Sequence, residues 1–323
     1  MWVLVTGGTG SLGHALVPRL LEEEGVEKVI IYSRDEVKQS QMREEINDKR
    51  LRFMVGDVRD RWRTHRAMTG VHTVIHAAAL KRVEVSEYNA DEFIKTNIIG
   101  TQNVVEAAGL AGVKRALFTS TDKAVAPLNT YGCTKAVAER VIIQGNATYP
   151  GTVYACVRYG NVANSRGSVI EVFRSILERE GPEAVLPITD IRMTRFWITL
   201  PEAVEHIMTS LELMKGGEIF IPRMPSYHIL DLMSACGGKK YKEVGLRPGE
   251  KLHEAIHTIH EDVWGLKYKD KDILLVYPQV TMRRFERYGK LAPMEDYLSY
   301  DNVFLTEEEL CARMTSLKLL SEK

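Results

Sequence analysis

The chain has 323 residues, with basic and acidic residues balanced at 43 each and no long run of either sign. This balance argues against nucleic acid as the main partner, and the length allows one large domain with a smaller appendage. No stretch approaches the roughly 20 apolar residues of a membrane span. The 4 cysteines show no metal-site spacing, so we expect reduced thiols, no bound metal and a cytoplasmic protein.

The chain opens with WVLVT, then GGTGSLG, then a segment whose apolar residues recur at helical spacing. This order predicts a strand, a glycine loop and a helix. Gly8, Gly10 and Gly13 fit the pattern G-x-G-x-x-G, and Gly7 begins a looser glycine pattern. Such glycines permit a tight turn and let a pyrophosphate approach the helix N-terminus, so we predict a dinucleotide-binding loop. The alternative is an ordinary turn between strand and helix.

The end of the second predicted strand, KVIIYS, indicates which dinucleotide is bound. An NAD site usually has a carboxylate here for the ribose hydroxyls, whereas this chain has Ser33 and Arg34, with Asp35 only after them. A hydroxyl and a guanidinium suit a 2′-phosphate, which favours NADP. The alternative is that Arg34 simply faces solvent.

Two further strands and a long helix are predicted next. The strand LRFMVGD ends in Asp57, which we expect to meet the adenine edge or, alternatively, to cap the helix of RDRWRTHRAM. The strand HTVIHAAAL ends in alanines at 77–79, small enough for backbone to pass close to a cofactor, and Lys81 follows. A helix is predicted from about Asn89 to Leu110, with Asn97 near its middle.

The stretch TSTDKAVAPLNTYGCTK carries the candidate catalytic residues. Tyr131 and Lys135 are about one helical turn apart, so their side chains share a face of a helix predicted to reach about residue 147. An ammonium beside a phenol favours the phenolate, so we expect Lys135 to lower the pKa of Tyr131 and make it a base. Asp122 and Lys123 lie shortly upstream, after a fifth predicted strand. The alternative is an ordinary surface helix.

Strands and helices alternate through the first half, which predicts an α/β fold with a doubly wound parallel sheet of the Rossmann type. The ligand crevice of such a sheet lies at the carboxyl ends of its strands, where the motifs above all fall. We predict a dinucleotide-binding domain at residues 1–160, including the Tyr-Lys helix. We also predict a smaller α/β portion at 161–323 that mainly binds substrate, with some segments returning to the sheet.

The second half is less regular. The segment TVYACVRYGNV predicts a sixth strand ending in Asn161, and a terminal helix is predicted to start at Thr306. Loops in this half are rich in arginine, the residue that grips phosphates bidentately, which suits a diphosphate. The alternative is that some arginines only pair with Asp190 or Glu250. The arginines in question are Arg166, Arg192, Arg195 and Arg247.

The chain carries ten motifs in this order: TGGTGSLG, YSRDE, GDVRD, HAAALK, STDKA, YGCTK, RYGNV, SRGSV, ITDIRMTRFWI and RPGEKLHE. With them it closely resembles the inverting UDP-N-acetylglucosamine 4,6-dehydratases of the extended short-chain dehydrogenase/reductase superfamily, from at least Val3 to about His257. These enzymes begin pathways to pseudaminic acid and N-acetyl-L-fucosamine. The resemblance implies a hydro-lyase that recycles NADP internally, takes a UDP-sugar and forms a homo-oligomer.

The resemblance also implies residue roles. Tyr131, helped by Lys135, takes the proton of the sugar's 4-hydroxyl, Lys123 is the base at carbon 5, and Asp122 protonates the departing 6-hydroxyl. Retaining dehydratases carry an Asp-Glu pair at this place, so Lys123 is the discriminating residue. Thr121 is the fifth catalytic residue.

Two sets of binding residues follow from the motifs and the resemblance. The predicted cofactor-binding residues are Gly7, Thr9, Gly10, Ser11, Leu12, Gly13, Ser33, Arg34, Asp35, Lys38, Asp57, Val58, Ala77, Ala78, Ala79, Asn97, Tyr131, Lys135 and Val162. The predicted substrate-binding residues are Lys81, Thr121, Asn161, Arg166, Gly167, Ser168, Val169, Thr194, Arg247 and Glu250.

Three positions depart from the family pattern. Arg82 stands in place of histidine, Cys133 in place of alanine and Asn164 in place of glycine. Two other functions compete with the dehydratase. A nucleotide-sugar 4-epimerase shares the fold and the Tyr-Lys pair but does not need Asp122 and Lys123. A redox-sensing NADP-binding regulator typically lacks the catalytic tyrosine or lysine, and both are present here.

Overall fold

One sheet organises the fold. The computed structural model describes residues 1–163, 165, 167–277 and 296–317. The strands of these residues are β1 (Trp2–Thr6), β2 (Lys28–Ser33), β3 (Leu51–Val55), β4 (Thr73–His76), β5 (Arg115–Thr119), β6 (Val153–Val157), β7 (Asn161–Val162), β8 (Val185–Ile188), β9 (Thr194–Ile198), β10 (Ile219–Pro222), β11 (Ser226–His228), β12 (Lys240–Glu243), β13 (Ala255–His257), β14 (Val263–Tyr268), β15 (Lys271–Val276) and β16 (Tyr297–Leu298).

Among the described strands, nine form this sheet in the order β14-β15-β10-β6-β5-β4-β1-β2-β3. The seven strands from β10 to β3 pair in parallel. β15 pairs antiparallel with β10, and β14 pairs antiparallel with β15, so both extend the same side of the sheet. Chain order reverses between β1 and β4, which confirms the predicted doubly wound parallel sheet. β1 and β2 bury every residue but their first, as strands covered by helices on both faces do.

Helices cover the sheet. Those of the described residues are α1 (Ser11–Glu22), α2 (Glu36–Ile46), α3 (Arg61–Ala67), α4 (Val83–Ser86), α5 (Ala90–Phe93), α6 (Gly100–Leu110), α7 (Thr130–Thr148), α8 (Val169–Glu180), α9 (Leu200–Leu213), α10 (Ile229–Ala235) and α11 (Glu307–Ser316). Asp35 caps α2 and Asp60 caps α3, so the alternative in which Asp57 caps the latter is wrong. Thr306 caps α11 as predicted, in a reciprocal box with Glu309.

The helix predicted from Asn89 to Leu110 is interrupted by a π-helical turn. This turn, Ile94–Ile99, joins α5 to α6 and contains Asn97. A π turn shifts the hydrogen-bond pattern by one residue and is frequent at functional sites. The chain stays helical from Ala90 to Leu110, so the sequence predicts one continuous helix.

The predicted sixth strand is split. β6 ends at Val157, and Asn161 begins β7, which pairs with β9 in a separate sheet. A Cβ at Gly160 would lie 2.4 Å from the Cβ of Phe196, so the chain passes β9 here too closely for any side chain. This crossing carries Asn161 out of the main sheet and toward the second half of the chain.

The second half builds its own small core and also returns to the main sheet. Phe173, Trp197, Leu310 and Met314 belong to a separate hydrophobic cluster, whereas β10, β14 and β15 join the nine-stranded sheet. The division into two domains at residue 160 stays a prediction. Across the described part of the chain, every helix is too short or too polar to cross a bilayer.

Candidate active site

A cleft of about 1050 Å³ lies where the parallel strands end. Four predicted site residues, Gly13, Asn97, Asp122 and Thr194, are not among those that line it, and Arg166 lies outside the described residues. The cleft brings the following predicted residues together: Gly7, Thr9, Gly10, Ser11, Leu12, Ser33, Arg34, Asp35, Lys38, Asp57, Val58, Ala77, Ala78, Ala79, Lys81, Thr121, Lys123, Tyr131, Lys135, Asn161, Val162, Gly167, Ser168, Val169, Arg247 and Glu250.

The glycine loop joins β1 to α1 with almost no free space. A Cβ at Gly13 would lie 1.9 Å from the carbonyl oxygen of Gly8, so α1 packs directly on the loop. Gly7 has a φ of +67°, and a Cβ there would lie 2.8 Å from the Cα of Ala78. The loop and the alanine run after β4 therefore meet backbone to backbone. Such a cradle at a helix N-terminus fits a pyrophosphate.

The polar residues after β2 and β3 form a charged rim. Arg34 is about half exposed, and its Nη1 lies 3.7 Å from Oδ2 of Asp57. Burial raises the pKa of Asp57, but contacts with Arg59 outweigh burial and hold that pKa below its usual range. Asp35 is paired with Lys38 at 2.8 Å. A guanidinium held at the cleft with an exposed face suits a phosphate group.

Asn97 acts on the backbone beside the cleft rather than lining the cleft. Its amide oxygen accepts from the Leu80 N–H at 2.8 Å, and its amide nitrogen donates to the Leu80 carbonyl at 2.9 Å. The same nitrogen donates to the Thr134 hydroxyl on α7 at 3.0 Å. Asn97 thus ties the segment after the alanine run to the helix that carries Tyr131.

Tyr131 and Lys135 lie on the buried face of α7 and both reach the cleft. The Lys135 ammonium donates to the Thr119 carbonyl at 2.6 Å and lies 3.8 Å from the centre of the Phe118 ring. Burial lowers the pKa of Lys135 to about 7 and raises the pKa of Tyr131 to about 12. The expectation that Lys135 lowers the Tyr131 pKa does not hold here. The cation that opposes the effect of burial is Lys123.

Lys123 lies between two carboxylates. Its ammonium nitrogen is 3.1 Å from Oδ1 of Asp122 and 3.2 Å from Oε1 of Glu254, and it donates to the Asn161 amide oxygen at 3.2 Å. Burial lowers the pKa of Lys123, but the two carboxylates outweigh it and hold that pKa above its usual range. Burial raises the pKa of Asp122, whose carboxylate also accepts from the Thr121 hydroxyl at 2.9 Å. A carboxyl group and an amine, the kinds of group that an elimination uses as acid and base, therefore stand side by side.

The predicted substrate residues fall into two groups. Arg247 and Glu250 line the cleft, where the Arg247 N–H donates to the Glu250 carboxylate at 3.1 Å. Thr194 is 1% exposed, and its hydroxyl bonds to His253 and Ser299 at 2.8 and 2.7 Å. Thr194 therefore supports the wall of the cleft from behind.

The arginines predicted to grip a diphosphate differ in their contacts. Arg192 pairs with Asp190 at 2.6 Å, which is the salt-bridge alternative. Arg195 lines the cleft and donates to the carbonyl oxygens of Thr194, Leu252 and Lys251. A buried arginine held by three carbonyls has a fixed position, so Arg195 contributes its charge to the cleft at one place.

The residues of the cleft that the sequence-based site lacks include two charged ones, Lys251 and Glu254. Both belong to the motif RPGEKLHE, whose Arg247 and Glu250 were predicted. Lys251 donates to the Val125 carbonyl at 2.8 Å and thereby ties this motif to the loop after Lys123. The sequence signal for these two residues was the charged character of the motif. That character does not show which of the charged side chains face the cleft.

Similarity to known sequences decides the family of this chain. The model of the polysaccharide biosynthesis protein family matches residues 3–274. The chain belongs to this family. It is 44% identical over 305 residues to a UDP-N-acetylglucosamine 4,6-dehydratase (inverting) of Campylobacter jejuni, covering 94% of this chain and 86% of that protein. The family predicted from the motifs is thereby confirmed. The chain is also 35% identical over 339 residues to a UDP-glucose 4-epimerase of Rickettsia bellii, covering 99% and 97% of the two chains.

Solved structures agree with this membership. The X-ray structure of Pen from Bacillus thuringiensis is 34% identical, with a TM-score of 0.90 over 99% of this chain and 98% of that one. DesIV, a dTDP-glucose 4,6-dehydratase of Streptomyces venezuelae with NAD bound, is 26% identical, with a TM-score of 0.71 over 78% and 87% of the chains. The chain thus shares the fold of a nucleotide-sugar 4,6-dehydratase whose structure contains NAD.

Proposed function

We propose that the protein is an NADP-dependent UDP-N-acetylglucosamine 4,6-dehydratase that inverts carbon 5 and forms UDP-2-acetamido-2,6-dideoxy-β-L-arabino-hexos-4-ulose. At the level of reaction class the chain is a hydro-lyase of the nucleotide-sugar 4,6-dehydratase type, as its 44% identity to such an enzyme supports. The observation that carries the finer proposal is Lys123, which lines the cleft together with Tyr131 and pairs with Asp122 at 3.1 Å.

The proposed reaction uses each of these groups once. Tyr131 takes the proton of the 4-hydroxyl, and the resulting ketone at carbon 4 acidifies the hydrogen on carbon 5. Lys123, after losing its own proton, removes that hydrogen as a proton, while Asp122 protonates the 6-hydroxyl, which leaves as water. A proton then reaches carbon 5 from the opposite face, which inverts it. NADP held between the glycine loop and Lys135 would supply the hydride chemistry, as acceptor at carbon 4 and donor at carbon 6.

The cofactor proposal rests on the fit of the cleft to a dinucleotide. The backbone cradle of Gly7 and Ala78 would hold the pyrophosphate at the start of α1. Arg34, with its exposed face and the Ser33 hydroxyl beside it, would hold a 2′-phosphate, whereas a carboxylate for the free ribose hydroxyls of NAD is missing from the end of β2. Lys135 would face the nicotinamide half of the cofactor.

We also propose that the chain forms a homo-oligomer through the helices that follow Asn89. Ile94, Ile99 and Val137 each leave more than two-fifths of their surface exposed on the π turn and α7. Apolar side chains exposed on neighbouring helices suit a contact with a second copy. A molecular mass in solution equal to that of one chain would contradict this proposal.

A 4-epimerase is the second candidate, because the Rickettsia bellii protein named UDP-glucose 4-epimerase is 35% identical over nearly the whole chain. Both reactions begin with oxidation at carbon 4, for which Tyr131 would be the base and the dinucleotide would accept the hydride. They differ afterwards, because only the dehydratase needs a base at carbon 5 and an acid at the 6-hydroxyl. The presence of Lys123 and Asp122 in contact therefore favours the dehydratase.

One experiment separates these functions. The purified protein is incubated with UDP-N-acetylglucosamine, and in parallel with UDP-glucose, in heavy water, and the products are followed by NMR. The proposed function predicts a 4-keto, 6-deoxy sugar with deuterium at carbon 5 from the first substrate. A product changed only in configuration at carbon 4 would establish the epimerase instead. The Tyr131→Phe variant serves as the inactive control.

A further inference from the structure

We propose that Glu254 is a positioning residue of the dehydration step. Its carboxylate, opposite that of Asp122, holds the Lys123 amine in place and stabilises the ammonium that forms when Lys123 takes the carbon-5 proton. This inference rests on the proposed function and adds to it a residue that the motifs and the predicted chemistry leave without a role.

The geometry places three oxygens close to the ammonium nitrogen. Oxygens of Asp122, Glu254 and Asn161 lie 3.1, 3.2 and 3.2 Å from the Lys123 nitrogen. Two hydrogen bonds, to Asp122 and Asn161, and the ion pair with Glu254 together restrict the position of the ammonium. The Lys123 side chain is 19% exposed, whereas those of Asp122 and Glu254 are 0% and 3% exposed. The Lys123 side chain thus reaches the cleft while its ammonium contacts two buried carboxylates.

Glu254 is itself held from the far half of the chain. It directly precedes β13, which packs against Asp122–Ala124, the short 3₁₀ turn that contains Lys123. Its backbone N–H donates to the Ser299 hydroxyl at 2.9 Å. Cations flank its carboxylate at longer range, with Arg195 at 4.0 Å and Lys251 at 3.7 Å. Its shortest ionic contact is the one to Lys123. The contacts with Ser299, Arg195 and Lys251 hold Glu254 in the position that makes this contact.

The two carboxylates differ in their proton affinity. Burial raises the pKa of both, but around Glu254 the charges of Lys123, Arg195 and Lys251 outweigh burial and hold its pKa below the usual range. The pKa of Asp122 is instead raised. Environments that push two pKa values apart separate the roles of the two groups. Asp122 can carry the proton for the leaving hydroxyl, while Glu254 remains an anion throughout.

A permanent anion beside a base has a known physical effect. It orients the base and stabilises the cation that the base becomes, as the buried aspartate does for histidine in serine proteases. Glu254 stands in this relation to Lys123. The ionisable groups that act on Lys123 from the surrounding elements are Asp122, Tyr131, Arg195, Tyr227 and Glu254.

The test compares two half-reactions in the holoenzyme with UDP-N-acetylglucosamine. Glu254→Gln keeps the size and removes the charge, so carbon-5 exchange with heavy water, compared at equal fractions of neutral Lys123 amine, should fall by on the order of 10²-fold, a typical loss for a fixed electrostatic partner. Oxidation at carbon 4, followed by NADPH absorbance, should change far less than carbon-5 exchange. Glu254→Asp keeps the charge and should restore part of the exchange rate. Ser299→Ala, which loosens the Glu254 backbone but leaves the carboxylate, is the matched structural control.

The pH profile distinguishes an electrostatic from a structural role. The Glu254 charge raises the Lys123 pKa, and exchange needs the neutral amine, so the wild-type rate rises with pH. Glu254→Gln should lower that pKa by about 1–3 units and move the rise to lower pH. The same shift should appear in the pH titration of the Lys123 amine by ¹⁵N NMR without substrate. Its signal is assigned by its loss in Lys123→Met.

Each outcome decides the inference. A shift to lower pH in Glu254→Gln, with an unshifted profile in Glu254→Asp and Ser299→Ala, supports it. Equal loss of exchange in Glu254→Gln and Ser299→Ala with no pH shift makes Glu254 a structural residue and overturns it. If the wild type forms no 6-deoxy product, the proposed function fails, and with it the assigned step. The NMR titration then reports separately whether Glu254 controls the charge of Lys123.

Discussion

Arg158 donates two hydrogen bonds to the carboxylate of Glu139 in the protein interior, at 3.0 and 2.7 Å. The two side chains are 2% and 3% exposed. Glu139 lies one turn after Lys135 on α7, and Arg158 directly follows β6, so the pair fixes α7 to the sheet. Arg158 also contacts Glu261 at 3.0 Å, which connects the same helix to the second half of the chain.

This interior ion pair predicts a large and asymmetric effect on stability. Arg158→Met should lower the free energy of unfolding by about 3–5 kcal/mol, because it leaves a buried carboxylate without its partner. The double variant Arg158→Met/Glu139→Gln should recover part of that loss. Urea unfolding measures both, with Lys239→Met in the exposed pair with Glu183 as the control, expected to change stability by less than about 1 kcal/mol. A loss from Arg158→Met as small as the control's would contradict the prediction.

His76 predicts how stability depends on pH. It is buried on β4 between the hydroxyls of Thr6 and Thr101, and burial lowers its pKa to about 3. The unfolded chain binds a proton at this residue near pH 6.5. Its contribution is therefore complete above that pH and is lost as pH falls toward 3, at up to roughly 1.4 kcal/mol per pH unit. Urea unfolding across this range should show the loss, and His76→Gln should make it shallower. If wild type and His76→Gln lose stability with the same slope as pH falls, His76 is not a source of this pH dependence.

Gly13 gives a steric prediction with a matched control. Gly13→Ala places a methyl group 1.9 Å from the Gly8 carbonyl oxygen, so the loop and α1 must move apart. We expect a loss of cofactor affinity of at least tenfold and a lower melting temperature, since packing strain of this kind typically costs 1–3 kcal/mol. Gly151→Ala is the control, because a Cβ there meets nothing within 4 Å. Unchanged NADP affinity in Gly13→Ala would show that the loop does not hold the cofactor.

Much of this architecture was predictable because its causes are local. β1 and β2 are buried strands of a parallel sheet, so they read as unbroken apolar runs, and their bounds match the segments WVLVT and KVIIYS. Asp122, Lys123 and Tyr131 lie within one short stretch. Glu254, by contrast, reaches Lys123 from the far half of the chain, and no local pattern encodes that contact. The pKa of Tyr131 likewise depends on burial by distant elements, which reverses the effect expected from its neighbour Lys135.

Arg34 carries the prediction about cofactor preference. Arg34→Ala should weaken NADP far more than NAD, because a charge-assisted contact to the 2′-phosphate is worth roughly 1.5–3 kcal/mol, or about ten- to a hundredfold in affinity. Titration calorimetry with both cofactors measures the difference. Arg43→Ala on α2 is the control, since Arg43 stacks on the Phe53 ring and should alter neither affinity. Equal weakening of both cofactors by Arg34→Ala would remove the basis for proposing NADP.

Lys123 predicts that the reaction can be divided into its two halves. A Lys123→Met enzyme keeps Tyr131 and Lys135, so it should still bind both ligands and oxidise carbon 4. It should therefore show NADPH absorbance after mixing with UDP-N-acetylglucosamine, yet release no 6-deoxy product and exchange no carbon-5 hydrogen with heavy water. Loss of a general base typically costs two to four orders of magnitude in rate, which is measurable against residual activity.

The matched variant is Tyr131→Phe, which should fail one step earlier. Without the phenol no group takes the 4-hydroxyl proton, so no NADPH absorbance should appear, although Lys123 is intact. Tyr131→Phe would then lose oxidation at carbon 4, whereas Lys123→Met would lose only the later step at carbon 5. This difference would place Tyr131 before Lys123 in the reaction. Near-normal carbon-5 exchange in Lys123→Met would mean that Lys123 is not the base. Because Lys123 is held by Asp122 and Glu254, that result would point to Tyr131 or a neighbouring group as the base.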